Sequence, residues 1–434
     1  MSNDARPGRE RAGLVGLVTS RSRRHDAESS LDELAGLVSA AGGTAVFRSL
    51  QERPTPDPAT FVGKGKLASL ALACDEQDVS LLVFDHELTP TQLRQIEPAV
   101  GCRVIDRTQL ILDIFARRAR TREGKSQVEL AQLRYLLPRL VGAGLELSRL
   151  GGGIGTRGPG ETKLETDRRR IRQRIAAIAA SIEEVRLRRE RLRDRRHKSA
   201  VPTVALVGYT NAGKTTVFNL LTGGGAEASD ALFVTLDPLV RPVRLPDSRE
   251  LLVSDTVGFI DRLPHTLVAA FRATLEEAKG ADLLVHVIDA ATPGREQRMR
   301  AVEAVLEEIG AAAIPRLLVL NKADRLTEAE RTRAVLGLDR PILMSALHGE
   351  GRSELLERVT AELQMDTRRV RVRLDTRSEA GRRGVSWLYR HSRVLRHDAV
   401  GGRAVIDAEV PARGLAQFPV RCVTPLAADP GGLR

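Results

Sequence analysis

In the stretch VALVGYTNAGKTT, Gly208, Gly213, Lys214 and Thr215 have the spacing G-x-x-x-x-G-K-(S/T). Residues of these types at this spacing do phosphate chemistry. Glycines let successive backbone N–H groups turn inward around an oxyanion, the lysine bridges terminal phosphoryl oxygens, and the adjoining hydroxyl ligates magnesium. Tyr209, Thr210, Asn211 and Ala212 form the body of this loop, and Thr216 continues into the helix that it opens. The apolar run from Thr203 to Val207 supplies the strand that such a loop must follow. Downstream, SDTVGF sets Asp255 at the end of LLVSD, where it can hold the magnesium, and leaves Gly258 to meet a γ-phosphate through its backbone. FVTLDP lies between them, and its Thr235 can complete the magnesium shell once a γ-phosphate is present, which makes a switch. The catalytic candidates are thus Lys214, Thr235 and Gly258, and the metal candidates Thr215, Thr235 and Asp255.

Two further runs address the base. LLVLNKAD brings Asn321, Lys322 and Asp324 after a buried strand, and PILMSAL brings Ser345, Ala346 and Leu347 after the next. A carboxylate at Asp324 can accept from both N1–H and the 2-amino group of guanine, whereas adenine offers neither donor. Leaving such an acceptor unpaired costs about 10⁴-fold in discrimination. The order of these elements is that of a Ras-like GTPase domain, so the expected ligands are GTP and GDP with Mg²⁺. Phe259 follows DTVG, at the position where many GTPases carry a glutamine that orients the attacking water. Phenylalanine cannot hold a water. Hydrolysis in isolation is therefore expected to be slow, with a partner completing the site, unless His265 or Asp261 substitutes in cis. His286 and Asp289 in LLVHVIDA read as strand structure.

The elements around this site divide the chain into four expected parts. Over residues 1–108, short apolar runs alternate with helical patterns, as in a small parallel α/β sheet. Its loop PTPDPATFVGKGK fits a phosphate contact and an ordinary surface connection equally well. Residues 109–198 become helical, with one apolar seam at Leu130, Leu133, Leu137 and Leu140 and another at Leu164, Ile171, Ile175, Ile178, Ile182, Val185 and Leu192. Two facing seams make a long antiparallel hairpin. Thr162 and Glu165 have capping-box spacing, which sets the start of the second helix there, and Pro138 is placed to kink the first. Residues 199–366 carry the nucleotide motifs, and 367–434 read as a small α+β domain without a catalytic constellation.

Between the hairpin helices lies GGGIGTRGPGETKLETDRRR. Gly153, Gly155 and Gly158 match G-x-G-x-x-G, but a dinucleotide fingerprint needs a strand just before it, and here a helix precedes. The glycines instead read as a bare tip that can approach a surface closely. Thr156 and Arg157 at the tip, with Arg168 and Arg169 on the second helix, are the RNA-binding candidates. Composition points the same way. In 434 residues, 68 Lys and Arg against 56 Asp and Glu give +12, a balance suited to polyanions. Aromatic content of 3% argues against stacking on single strands and for contacts to folded RNA backbone. No apolar run reaches a membrane span, no signal peptide is evident, and the three cysteines Cys74, Cys102 and Cys422 are isolated in sequence. A cytoplasmic monomer is the expectation.

ATFVGKGK, CRVIDRTQLILDIFARRARTREGKSQVELAQLRYLLPRL, the hairpin tip, GYTNAGKTT, DTVGF and NKAD, in this order, resemble the HflX family of translational GTPases over nearly the whole chain. The resemblance implies a GTPase that binds the large ribosomal subunit, sets its hairpin tip against rRNA near the peptidyl-transferase centre, and dissociates stalled ribosomes under stress. Phe259 is also the family's residue. Other readings keep parts of this pattern: an antibiotic-resistance factor acting on drug-stalled ribosomes, an RNA-remodelling NTPase with a second nucleotide at VGKGK, or a signalling GTPase. The last leaves the basic hairpin unexplained.

Overall fold

The computed structural model describes residues 10–20, 23–140, 159–198, 201–227, 232–245, 250–261, 277–363, 367–411, 418 and 423–425. These cluster into two compact units: one runs to Val185 and takes in residues 232–237, and the other holds the remainder.

In the first unit β1 (Arg11–Val18), α1 (Arg24–Ala40), β2 (Thr44–Glu52), α2 (Lys64–Glu76), β3 (Leu81–Phe84), α3 (Pro90–Val100) and β4 (Arg103–Asp106) alternate, and the strands pair in parallel in the order β2-β1-β3-β4. The inner positions of β1 and all of β3 are buried, as continuous apolar strands covered on both faces require. The start of α3 is set locally. The Thr89 side chain accepts from Gln92 N, the Gln92 side chain accepts from Thr89 N in return, and Pro90 fills the first turn.

Two helices, α4 (Arg107–Arg118) and α5 (Arg122–Arg139), follow and are fastened to the sheet through buried charge. Arg107 donates to Asp85 at 2.7 Å and to Ser30 at 3.2 Å, and it also pairs with Glu33. Arg139 lies over the Tyr135 ring and donates to Asp106 at 3.1 Å and to Leu88 O at 2.9 Å. A lone buried charge would be costly, so these arginines belong with their carboxylates. Pro138 lies inside α5, in its last turn.

The long helix α6 (Pro159–Lys198) begins three residues before Thr162, so Thr162 and Glu165 lie inside it and do not cap it. Proline carries no N–H to leave unsatisfied and has a helical φ already set, which makes Pro159 the better first residue. Leu130 and Ile178 from the two expected seams are buried, and Arg174 on α6 holds Glu129 on α5 with two bonds of 2.7 and 3.0 Å. Cys74 and Cys102, distant in sequence, come together with their sulfurs 3.8 Å apart, and burial pushes the Cys74 thiol up to about 12. Cys422 lies outside the described residues.

The second unit contains β5 (Thr203–Val207), α7 (Lys214–Thr222), β6 (Leu239–Arg244), β7 (Glu250–Asp255), β8 (Leu283–Asp289), α8 (Arg295–Glu308), β9 (Arg316–Asn321), α9 (Glu328–Val335), β10 (Ile342–Leu343) and α10 (Arg352–Leu363). The sheet order is β10-β9-β8-β5-β7-β6, parallel except for the β6–β7 pair. This is the Ras-like arrangement, with β5 central and the loop after it opening at the carboxyl edge. The unit continues through β11 (Thr367–Asp375), α11 (Glu379–His391), β12 (Arg393–Val400), β13 (Arg403–Pro411) and β14 (Val423–Pro425), an antiparallel sheet in the order β12-β13-β11-β14. Val370, Val372 and Leu374 share one buried core with Leu388 of α11, while Arg371, between them in sequence, pairs with Asp407 at 2.6 Å. Strand alternation thus sorts the apolar and charged residues to opposite faces. Among the described residues no helix is long and apolar enough to cross a membrane.

Candidate nucleotide site

The site grows from buried β5. Past Val207 the chain turns through Gly208 to Gly213 and enters α7 at Lys214. Gly213 has φ +92°, and a Cβ there would overlap Asn321 Nδ2, so only glycine fits. Asn211 takes the left-handed conformation at φ 59°, which asparagine tolerates. The amides at the start of α7 therefore face the loop as an anion site reinforced by the helix dipole.

Lys214 is 7% exposed and donates to Gly208 O at 3.1 Å and Tyr209 O at 2.8 Å. Burial draws its ammonium down to about 8, partly offset by Asp255. Thr215 Oγ1 donates to Asp255 Oδ2 at 2.8 Å, and Asp255 is fully buried at the end of β7. These two oxygen donors fit a hard divalent cation that takes its other ligands from phosphate and water. Among the described residues no group of three or more His, Cys, Asp or Glu could hold a metal on its own.

Gly258 packs against the loop. A Cβ on it would come 2.8 Å from Thr210 Cα and 3.0 Å from Lys214 Nζ, so its backbone is adjacent to the lysine. Phe259 is 1% exposed, and its backbone forms a bridge to the phosphate loop: Thr210 N donates to Phe259 O at 2.7 Å and Phe259 N to Gly208 O at 3.1 Å. Tyr209 adds a third tie, its hydroxyl accepting from Asp261 N at 2.7 Å while Arg298 lies over its ring. His265 is outside the described residues.

The base loops are joined to the phosphate loop through Asn321, 2% exposed, which donates to Ala212 O at 2.9 Å and accepts from Ala346 N at 3.0 Å. Lys322 pairs with Asp289 at 2.9 Å and reaches Asn211 Oδ1 at 3.4 Å. The Ser345 hydroxyl donates to Asp324 at 2.5 Å and is the main reason why that carboxyl lies below its ordinary value. Asp324 is thereby held ionised as a pure acceptor, while Leu347 is 73% exposed.

The second unit thus brings together Gly208 through Thr216, Asp255, Gly258, Asn321, Lys322, Asp324, Ser345, Ala346 and Leu347. Thr235 is grouped instead with the first unit. Asp289, read from sequence as strand structure, proves to hold Lys322. Its signal would have been the neighbouring register, since Asp289 and Asn321 are Cα partners at the ends of β8 and β9. His286 is a buried strand residue, and burial, then Arg316 and Lys214, brings its imidazole down to about 4. Of the RNA-binding candidates, Arg168 is half-buried and Arg169 exposed on α6; Gly153, Gly155, Thr156, Arg157 and Gly158 lie outside the described residues.

Three family models match successive parts of the chain: GTP-binding GTPase N-terminal over residues 28–116, GTP-binding GTPase Middle Region over 118–196, and 50S ribosome-binding GTPase over 203–322. The GTPase HflX of Caldanaerobacter subterraneus subsp. tengcongensis is 49% identical over 359 residues, covering 83% of this chain and 82% of that one. The GTPase HflX of Escherichia coli is 48% identical over 367 residues, 84% of this chain and 85% of that one. Among solved structures, a GTP-binding protein from the archaeon Sulfolobus solfataricus in complex with GDP aligns at 25% identity and a TM-score of 0.42, over 81% of this chain and 98% of that one.

Proposed function

The chain belongs to the HflX family of GTPases, and on that footing we propose that it binds the large ribosomal subunit and uses GTP to dissociate or rescue stalled ribosomes under stress. In this reading the four parts 1–108, 109–198, 199–366 and 367–434 act as an α/β base, a hairpin, the GTPase and a small C-terminal domain. The hairpin carries its glycine tip, with Arg157, to rRNA near the peptidyl-transferase centre, and Arg168 and Arg169 hold phosphate.

Within the nucleotide site, the amides of Gly208 through Thr216 and the Lys214 ammonium cradle the phosphates. Asn321, Lys322, Asp324, Ser345, Ala346 and Leu347 hold guanine. Mg²⁺, held by Thr215 and Asp255 and by Thr235 in the GTP state, would supply charge neutralisation between the phosphates. Gly258 would offer its N–H to the γ-phosphate.

The observation that carries partner dependence is Phe259. It is buried at the position from which other GTPases direct the attacking water, and its backbone is committed to the phosphate loop. Turnover then waits for a surface that repositions this segment. The test is GTP hydrolysis by the purified protein, alone and with isolated large subunits, beside a Gly155→Glu/Arg157→Glu variant. Strong stimulation that the variant loses is expected. Equal turnover with and without subunits refutes the ribosomal reading.

A further inference from the structure

Asp289 ends β8 beside Asn321 at the end of β9 and belongs to neither the phosphate motif nor the base motifs. Its two carboxylate oxygens are used separately. Oδ1 accepts from Ala291 N at 3.0 Å, where the chain leaves the strand, and Oδ2 holds Lys322 Nζ at 2.9 Å. Both side chains of this pair are 12% exposed. An ion pair so nearly withdrawn from water is little screened, and removing one member leaves the other charge uncompensated.

Lys322 is a residue that needs holding. It sits at φ 65°, a conformation that a side chain other than glycine keeps only where its surroundings impose it. Its flexible stem also loses rotamer freedom wherever it is fixed. The same ammonium reaches Asn211 Oδ1 in the phosphate loop at 3.4 Å, and Asn211 is itself left-handed at φ 59°. A neutral oxygen at that distance accepts weakly, whereas the Asp289 bond is short and charge-assisted. A neutral path runs beside this charged one: Ala290 N donates to Asn321 O at 2.9 Å, and Asn321 donates to Ala212 O at 2.9 Å. The end of β8 is therefore tied to the phosphate loop twice, and Asp289 supplies the charge for one of the ties.

We infer that Asp289 is a positioning residue for guanine nucleotides: by fixing the Lys322 side chain between the base loop and the phosphate loop, it sets how long a nucleotide stays bound. The inference rests on the reading of Lys322 as part of the guanine site. With the ion pair already formed, the lysine is ordered before the ligand arrives, and binding does not have to supply that ordering. Without it, the stem is free to leave the base, and the phosphate loop keeps only the neutral tie through Asn321. GDP and GTP carry the same base, so both are released faster and by the same factor.

The test measures, by stopped-flow fluorescence, the release of labelled GDP and of a labelled non-hydrolysable GTP analogue from the full chain. The variants are Asp289→Asn, Asp289→Ala, Lys322→Ala and the double variant Asp289→Ala/Lys322→Ala. Losing one member of a charge pair acts mainly on dissociation, and about tenfold faster release is expected for both Asp289 variants. Asp289→Asn keeps an oxygen for Ala291 N and removes only the charge, so it separates the ion pair from the turn. If it releases nucleotide at the full-chain rate while Asp289→Ala does not, Asp289 serves the turn alone and the inference is overturned. Lys322→Ala is expected to speed release at least as much as Asp289→Ala, and the double variant to be no faster than Lys322→Ala. Effects of the two single alanine variants that multiply in the double variant refute action through Lys322. If Lys322→Ala itself releases GDP at the full-chain rate, the reading of the guanine site fails and the inference falls with it.

Discussion

A polyphosphate placed against Lys214 Nζ is expected to draw a proton onto the protein. Burial brings this ammonium down to about 8, so about half of the lysines carry their charge at pH 8 and about nine-tenths at pH 7. Phosphate oxygens at the Nζ stabilise the charged form and return it to its ordinary range. GDP binding then takes up about half a proton near pH 8 and about a tenth near pH 7. The perturbation is small but direct. Calorimetric titration of GDP in two buffers of different ionisation enthalpy, at each pH, gives the proton number from the difference in apparent heat. Uptake that rises about fivefold between the two pH values supports the picture of a desolvated lysine waiting on Gly208 O and Tyr209 O. Zero uptake at both refutes it, because it would mean that Nζ is fully charged before the phosphate arrives.

Gly213→Ala is expected to lose most nucleotide affinity, since the added methyl meets Asn321 Nδ2 and the φ of +92° costs about 1–3 kcal/mol for any other residue; fluorescent GDP titration checks it. Asp324→Asn is expected to weaken guanine nucleotides by orders of magnitude and to improve xanthine nucleotides, because an amide can donate to the oxygen that replaces the 2-amino group; competition binding decides it. His286 has a folded pKa near 4, below its ordinary value of 6.5. Stability is therefore full above about 6.5 and falls as pH drops through about 4, with a loss approaching ~3 kcal/mol. His286→Leu is expected to flatten that acid limb in urea unfolding, and an unchanged slope would refute the assignment.

The phosphate loop was legible because its spacing is itself the chemistry: backbone amides converge only where glycines permit it, whatever the distant chain does. The meeting of NKAD with the Ser345–Ala346 turn was legible too, because each run closes a buried strand of one sheet. The start of α6 was not, because two local signals competed and Pro159 prevailed over the Thr162 box. Asp289 and Asp237 were opaque for another reason. Each is an ordinary acid at the end of an apolar run until the fold supplies its partner, Lys322 across a strand register or the Arg120 and Thr121 amides just before α5. The Cys74–Cys102 contact likewise exists only after α2 and the start of β4 pack together. Periodicity reports which face is apolar; it does not report which polar groups will meet.

Helix α6 runs 40 residues without interruption, about 60 Å of rod. Over that length, tilting one end by about 5° sweeps the other through about 5 Å. A GTPase does not need a large internal rearrangement to do mechanical work at a distance if its output is read at the far end of such a rod. An angular change of a few degrees at one end becomes, at the other, a displacement larger than a hydrogen bond. A straight rod of this length has the geometry of a lever, whose gain is set by length alone. Shortening it by whole turns would reduce the stroke in proportion while leaving the nucleotide chemistry untouched.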